Sequence, residues 1–181
     1  MTGPTAGPTA GPLVVLVGPM GAGKSTVGAL LAQRLGVELR DTDEDVEAAE
    51  GRSISDIFVD SGEEHFRAAE RSAVATALAD HTGVLALGGG AVMAPETRTL
   101  LAGHQVVFLR VGLTDAAARV GLGASRPLLL GNVRGTMKTL LDERAPVYES
   151  VATAVVDTDG LTPDEVASAV LTLLDAAEAA E

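Results

Sequence analysis

The chain has 181 residues, enough for one proper hydrophobic core and short for two domains, and its 46% apolar and 21% charged side chains exclude a disordered polymer. A formal charge of −12, from 25 acidic against 13 basic side chains, argues against nucleic acid or an anionic membrane as partner. Cysteine is absent, which excludes disulfides, thiolate nucleophiles and cysteine-ligated metals.

The opening tract repeats Gly, Pro, Thr and Ala and carries neither a basic residue nor an apolar stretch, so it matches no secretory or transit signal. A cytoplasmic location is the default expectation. Because such a tract buries almost nothing, residues 1–11 are expected to form a flexible tail, leaving 12–181 as the folded domain. No apolar run reaches the roughly 20 residues that span a bilayer.

From Leu13 onward, short continuous apolar runs alternate with helical periodicity. The first run, residues 13–17, has the pattern of a strand buried on both faces, as in parallel sheets. It leads into Gly18-Pro19-Met20-Gly21-Ala22-Gly23-Lys24-Ser25-Thr26, which satisfies the phosphate-binding pattern G-x-x-x-x-G-K-[ST] between a strand and a helix at 24–35. Glycines there let successive amide hydrogens converge on phosphate oxygens, and the helix N-terminus adds partial positive charge. Lys24 is expected to reach the β and γ phosphates, and the Ser25 hydroxyl to ligate Mg²⁺. Lysine is scarce in this chain, with only Lys24 and Lys138, so its presence in this slot is hard to ascribe to surface solvation.

A second strand is expected at 37–40 and a helix at 42–50. Between them Asp41-Thr42-Asp43 stands where α/β sheets present their ligands. On an extended chain the two acids would diverge, one toward Mg²⁺ and the other toward an acceptor hydroxyl, while the alternative reading is an N-cap. A capping box at Ser53 suggests a short helix through Phe58, and Gly62-Glu63-Glu64-His65-Phe66-Arg67-Ala68-Ala69-Glu70 opens a helix at 63–79. Arg67 and Glu70 form an i, i+3 pair whose plain reading is a surface salt bridge. None of His65, His81 and His104 has metal-ligand spacing.

The third strand, 83–87, ends in Gly88-Gly89-Gly90, a side-chain-free stretch that a substrate could approach closely. A helix at 95–102, a strand at 105–110 and a helix at 114–120 follow. Residues 121–132, with Gly121, Gly123 and Pro127, form the candidate lid before a helix at 133–144. Arg126 in that segment and Arg144 beyond it suit closure over a polyanion, with helix capping as the alternative for Arg144. A fifth strand at 153–156 and a helix at 162–179, opened by the Thr162-Pro163-Asp164-Glu165 box, complete the pattern. The βα alternation predicts a three-layer α/β/α sandwich on a five-stranded parallel sheet. The guanine-reading string Asn-Lys-x-Asp does not occur, and Asp80-His81-Thr82-Gly83 and Asp157-Thr158-Asp159-Gly160 read as turns, so ATP and a small acceptor are favoured over GTP.

The P-loop, D-x-D (Asp41, Asp43), G-E-x-x-F-R-x-x-E (62–70), G-G-G (88–90), R-P-L-L (126–129) and R-x-x-x-Y (Arg144, Tyr148) come in an order that resembles the shikimate kinase family, from Leu13 to the final helix. The resemblance implies a nucleoside-monophosphate-kinase-like P-loop fold with a shikimate-binding region around 42–70 and a mobile lid around 121–133. It implies phosphorylation of the 3-hydroxyl of shikimate by ATP with Mg²⁺, on the route to chorismate and aromatic amino acids, by a protein expected to be monomeric. It assigns Asp43, Lys24 and Arg126 to catalysis. Shikimate would be held by Asp43, Arg67, Arg144 and the Gly88, Gly89, Gly90 turn, with Glu70 orienting Arg67 and Ile54, Phe58, Phe66, Pro127 and Leu128 as apolar wall. Gly21, Ala22, Gly23, Lys24, Ser25, Thr26, Arg119, Arg126 and Pro163 would contact the nucleotide, and Ser25, with Asp41 through water, would serve the metal. A gluconate-type kinase remains compatible with two arginines on a carboxylate, and motif order is what separates the two. A non-catalytic nucleotide-binding regulator would keep the P-loop but have no use for the acceptor residues.

Overall fold

The structure, a computed structural model, describes residues 11–121 and 132–180. Most of the tail expected at 1–11 and nearly all of the candidate lid, including Arg126, Pro127 and Leu128, lie outside the described residues. Among those that are described, the chain forms β1 (Val14–Val17), α1 (Lys24–Leu35), β2 (Leu39–Asp41), α2 (Thr42–Glu50), α3 (Ile54–Ser61), α4 (Glu63–Asp80), β3 (Val84–Ala86), α5 (Pro95–Leu101), β4 (Val106–Arg110), α6 (Leu113–Val120), α7 (Val133–Val151), β5 (Ala154–Asp157) and α8 (Pro163–Glu178). A single 3₁₀ turn, Ala91–Met93, was not expected from the sequence.

The five strands pair in parallel, as the alternating pattern predicted, and their order is β2-β3-β1-β4-β5. β1 lies at the centre and is buried on both faces. Its side chains alternate between two cores: Val14 and Leu16 pack with α1 and α8, whereas Val15 and Val17 pack with α4, α5 and Tyr148. That is the three-layer sandwich. A third, smaller cluster, Val46, Ile57 and Phe66, fastens α2, α3 and α4 to one another beside the sheet.

Several boundaries differ from the sequence reading by one to a few residues, α3 running on to Ser61 among them, and two of the differences have identifiable reasons. β2 begins at Leu39 rather than Val37, because the Val37 N–H closes the C-terminal turn of α1 on the Ala32 carbonyl at 3.0 Å. The helix expected to stop at Arg144 continues to Val151 and passes through Pro146, so Arg144 is not a C-cap. Proline there removes one backbone bond. The helix persists because Met137, Arg144 and Tyr148 share one buried stripe, Met137 in the first core and Tyr148 in the second. The final helix starts as expected, on the reciprocal capping box of Thr162 and Glu165.

Candidate active site

At the carboxyl ends of the strands lies a cavity of about 830 Å³, the place where open α/β sheets bind ligands. One wall is the P-loop between β1 and α1. Gly21 adopts φ 81°, and the Ala116 carbonyl lies 2.7 Å from where a β-carbon would stand, so only glycine fits this turn against α6. Lys24 turns back on its own loop and donates to the carbonyls of Gly18 at 2.7 Å and Pro19 at 3.0 Å. Those bonds hold its ammonium over the cradle formed by residues 18–26.

Asp41 joins this wall from the end of β2. Its Oδ2 accepts from the Ser25 hydroxyl at 2.6 Å, and its Oδ1 accepts from the Asp43 backbone N–H at 2.9 Å as the N-cap of α2. The capping reading and the site reading therefore hold together on two oxygens of one carboxylate. The expectation that Asp41 and Asp43 share an extended segment is corrected, since the cap starts the helix at Thr42 and puts Asp43 in its first turn. Both acids nonetheless line the same cavity.

The opposite wall comes from four separate segments. Arg67 on α4 donates from Nη1 to Glu70 Oε1 at 2.8 Å and from Nη2 to Glu63 at 3.4 Å. The surface reading of the Arg67 and Glu70 pair is corrected, because Glu70 is only 3% exposed. Burial pushes the Glu70 carboxyl above its ordinary value, against the pull of Arg67 and, more weakly, Arg144 and Arg71. Arg144 on α7 is 9% exposed. Its planar fork of donors suits an anion entering the cavity that it lines.

The turn after β3 fits between these groups. A β-carbon on Gly88 would stand 2.5 Å from Asp43 Oδ1 and 2.9 Å from Glu70 Oε2, and one on Gly90 would collide with the Arg67 guanidinium. Any side chain there would displace the charged groups. The Gly88 N–H donates to the buried Thr42 hydroxyl at 3.1 Å, tying this turn to the start of α2. Thr42 was not singled out from the sequence, where it reads as the filler of D-x-D. Ile54, Phe58 and Phe66 add an apolar wall, with the two phenyl rings 4.9 Å apart between centroids.

At the far end of the P-loop, Arg119 on α6 donates to the Thr158 hydroxyl at 2.8 Å, the Thr158 carbonyl at 2.7 Å and the Gly21 carbonyl at 3.2 Å. With Val120, Leu161, Pro163 and Val166 it lines the remainder of the cavity. One continuous space thus joins the phosphate cradle to a corner holding two carboxylates and two guanidiniums. His65, by contrast, bonds to Glu50 at 3.0 Å and does not line the cavity.

A family model described as shikimate kinase matches residues 20–175. The shikimate kinase of Salinispora arenicola is 63% identical over 165 residues, covering 91% of this chain and 99% of that protein. Among solved structures, shikimate kinase from Acinetobacter baumannii in complex with shikimate superposes with a TM-score of 0.88 at 35% identity, covering 93% of this chain and 94% of that one. A gluconokinase from Sinorhizobium meliloti shares the fold alone, with a TM-score of 0.58 at 20% identity over 92% of this chain and 93% of its own. On the match across most of its length and the closeness of such relatives, the chain belongs to the shikimate kinase family.

Proposed function

We propose that the protein transfers the γ-phosphoryl group of ATP to the 3-hydroxyl of shikimate, yielding shikimate 3-phosphate and ADP, a step toward chorismate and the aromatic amino acids. The observation that carries this reading is the single cavity in which Gly21 to Thr26 face Asp43, Arg67, Gly89, Gly90 and Arg144. A donor phosphate at one end and a carboxylated alcohol at the other would meet in the middle. Family membership supports shikimate over gluconate as that alcohol.

Phosphoryl transfer passes through a loose transition state, so catalysis is mainly positioning and charge stabilisation. Lys24 leaves its loop carbonyls for the β and γ phosphates and neutralises charge as the bond to the leaving oxygen lengthens. Amide hydrogens of Gly21, Ala22, Gly23, Ser25 and Thr26 hold the phosphates, and Arg119 and Pro163 border the base. Asp43 orients the acceptor hydroxyl and takes its proton late. Arg67 and Arg144 fork onto the acceptor carboxylate, Glu70 holds Arg67 in plane, and the Gly88 to Gly90 turn admits the ring.

Ser25 Oγ and Asp41 Oδ2, already in contact at 2.6 Å, form a hard-oxygen pair of the kind Mg²⁺ accepts when phosphates and water complete its shell. Held by these two residues, the metal would supply positive charge against that developing on the transferring phosphoryl group. The roles of Arg126, Pro127 and Leu128 belong to the same reading. So do a monomer and a cytoplasmic location. Among the described residues no helix is long and apolar enough to cross a membrane.

A coupled ADP-release assay across hydroxylated acids tests the proposal. Shikimate should accelerate ADP release by orders of magnitude over gluconate or no acceptor. Equal rates with gluconate, or none dependent on acceptor, would overturn it. Sedimentation should give a species near 18.3 kDa.

A further inference from the structure

Tyr148 is 1% exposed and lies one helical turn beyond Arg144 on α7. Its ring stacks on Phe108 of β4, 5.0 Å between centroids, and its hydroxyl donates to the carbonyl of Gly89. Arg144 shares the buried stripe of α7 with Tyr148, four residues before it, and its guanidinium acts on the phenol against the rise that burial imposes. Gly89 in turn lies between the two ends of the cavity. A β-carbon there would stand 3.5 Å from the Met20 nitrogen, 3.7 Å from the Gly18 carbonyl and 3.8 Å from Arg144 Nη1.

We infer that Tyr148 is a positioning residue for acceptor binding: its hydroxyl links the Arg144 guanidinium to the Gly89 carbonyl and holds both in the register that the acceptor carboxylate meets. A phenol has one proton to donate and lone pairs to accept with. The proton goes to Gly89, which leaves the lone pairs for Arg144 and fixes the rotation of the hydroxyl. Burial raises the phenol to about 12, so it stays a donor at any pH the enzyme works at. Arg144 has several side-chain torsions and, without this contact, would need to be ordered by the acceptor itself. Preorganising it lowers the entropic cost of binding. A tyrosine that merely filled the core would need the ring on Phe108 but not the hydroxyl.

The inference rests on Arg144 as a ligand of the acceptor carboxylate, and the experiment separates the two. Michaelis constants for shikimate and ATP are measured for wild type, Tyr148→Phe, Arg144→Ala and the double variant. Tyr148→Phe keeps the ring and should raise the shikimate constant on the order of tenfold, the scale of one lost hydrogen bond, with the ATP constant within about twofold of wild type. In the Arg144→Ala background the same change should add nothing, because the hydroxyl acts through that guanidinium. If Arg144→Ala raises the shikimate constant and Tyr148→Phe does not, or moves both constants equally, the inference fails and the functional reading stands. If Arg144→Ala leaves the shikimate constant alone, the carboxylate role falls and this inference with it.

Should Tyr148→Phe fail to fold, the wild-type protein decides. Tyr148 is the only tyrosine and the chain has no tryptophan, so tyrosine emission reports this one ring. Shikimate added without nucleotide should change that emission saturably, and Arg144→Ala should abolish the change. Calorimetrically detected shikimate binding with unaltered emission would overturn the proposal.

Discussion

At the phosphate end of the cavity one unbroken run from Met20 to Thr26 supplies almost every group, with Asp41 the main side chain from elsewhere. At the acceptor end Asp43, Arg67, Glu70, Gly89 and Arg144 arrive from α2, α4, the turn after β3 and α7. The first is largely a backbone device: glycine conformations and a helix N-terminus present amide hydrogens that cost little to organise. The second is a side-chain device in which buried charges must satisfy one another before any substrate arrives, as Glu70 does for Arg67. A phosphate cradle can therefore be shared across many kinases, whereas an acceptor corner has to be rebuilt for each alcohol.

The comparison breaks most sharply at Lys24, a side chain within a backbone device. If its charge stabilises the transferring group more than bound ATP, Lys24→Met should cut kcat by at least roughly a hundredfold, with the fold retained by circular dichroism. Near-normal turnover in a folded variant would remove the P-loop from the chemistry. An effect of similar size is expected on the acceptor side. Asp43→Asn can still accept a hydrogen bond but cannot take the proton, so kcat should fall about a hundredfold with the ATP constant near normal. Asp41→Asn differs in kind. It weakens the Ser25 and Asp41 oxygen pair, and raised Mg²⁺ should restore part of its activity. Rescue of Asp43→Asn by metal, with none for Asp41→Asn, would reverse the two roles.

The same contrast governs what could be read from the sequence. The cradle was legible because its pattern is contiguous and its context, apolar run before and helical period after, is local. The parallel sheet was legible too, since β1 and β3 are uniformly apolar and β4 is apolar as far as Leu109. Less legible was how the acceptor side chains are buried. An i, i+3 pair such as Arg67 and Glu70 looks the same on a surface helix as in a pocket, and only the packing of Phe66 with Val46 and Ile57 and of the Gly88 to Gly90 turn against it hides Glu70. Arg144 was misplaced at a helix end because Pro146 is locally a breaker. What overrides it is tertiary: Met137, Arg144 and Tyr148 on one stripe reach two cores. The partners of Tyr148, Gly89 and Phe108, lie far off in sequence and leave no local mark.

Arg144→Lys sharpens the comparison without removing charge. Lysine offers a point charge where arginine offers a planar fork, so the shikimate constant should rise about tenfold or more while the ATP constant and the melting temperature change little. Steady-state kinetics with each substrate varied in turn reads the split. Equal movement of both constants would reassign Arg144 to the nucleotide, and movement of neither would make it structural.

The smallest effect is a tilt in stability with pH, and it asks whether the acceptor corner is strained in a way the cradle is not. Glu70 has its carboxyl raised above the ordinary 4.5 by burial, which outweighs the opposing attraction of Arg67 and the weaker ones of Arg144 and Arg71. Between that ordinary value and the higher folded one, the native state binds more protons than the unfolded chain. The stability contributed by this group is therefore complete below the window and is lost as pH rises through the folded value. Glu70→Gln keeps an amide oxygen for Arg67 but does not titrate. The stability of wild type minus that of the variant, from urea unfolding in buffers from about pH 4.5 upward, should accordingly decline as pH rises. A difference that grew with pH would mean the ion pair with Arg67 outweighs burial. In that case the acceptor corner would be as relaxed as the cradle, and the buried carboxylate would stabilise the fold at neutral pH instead of being held there by the site.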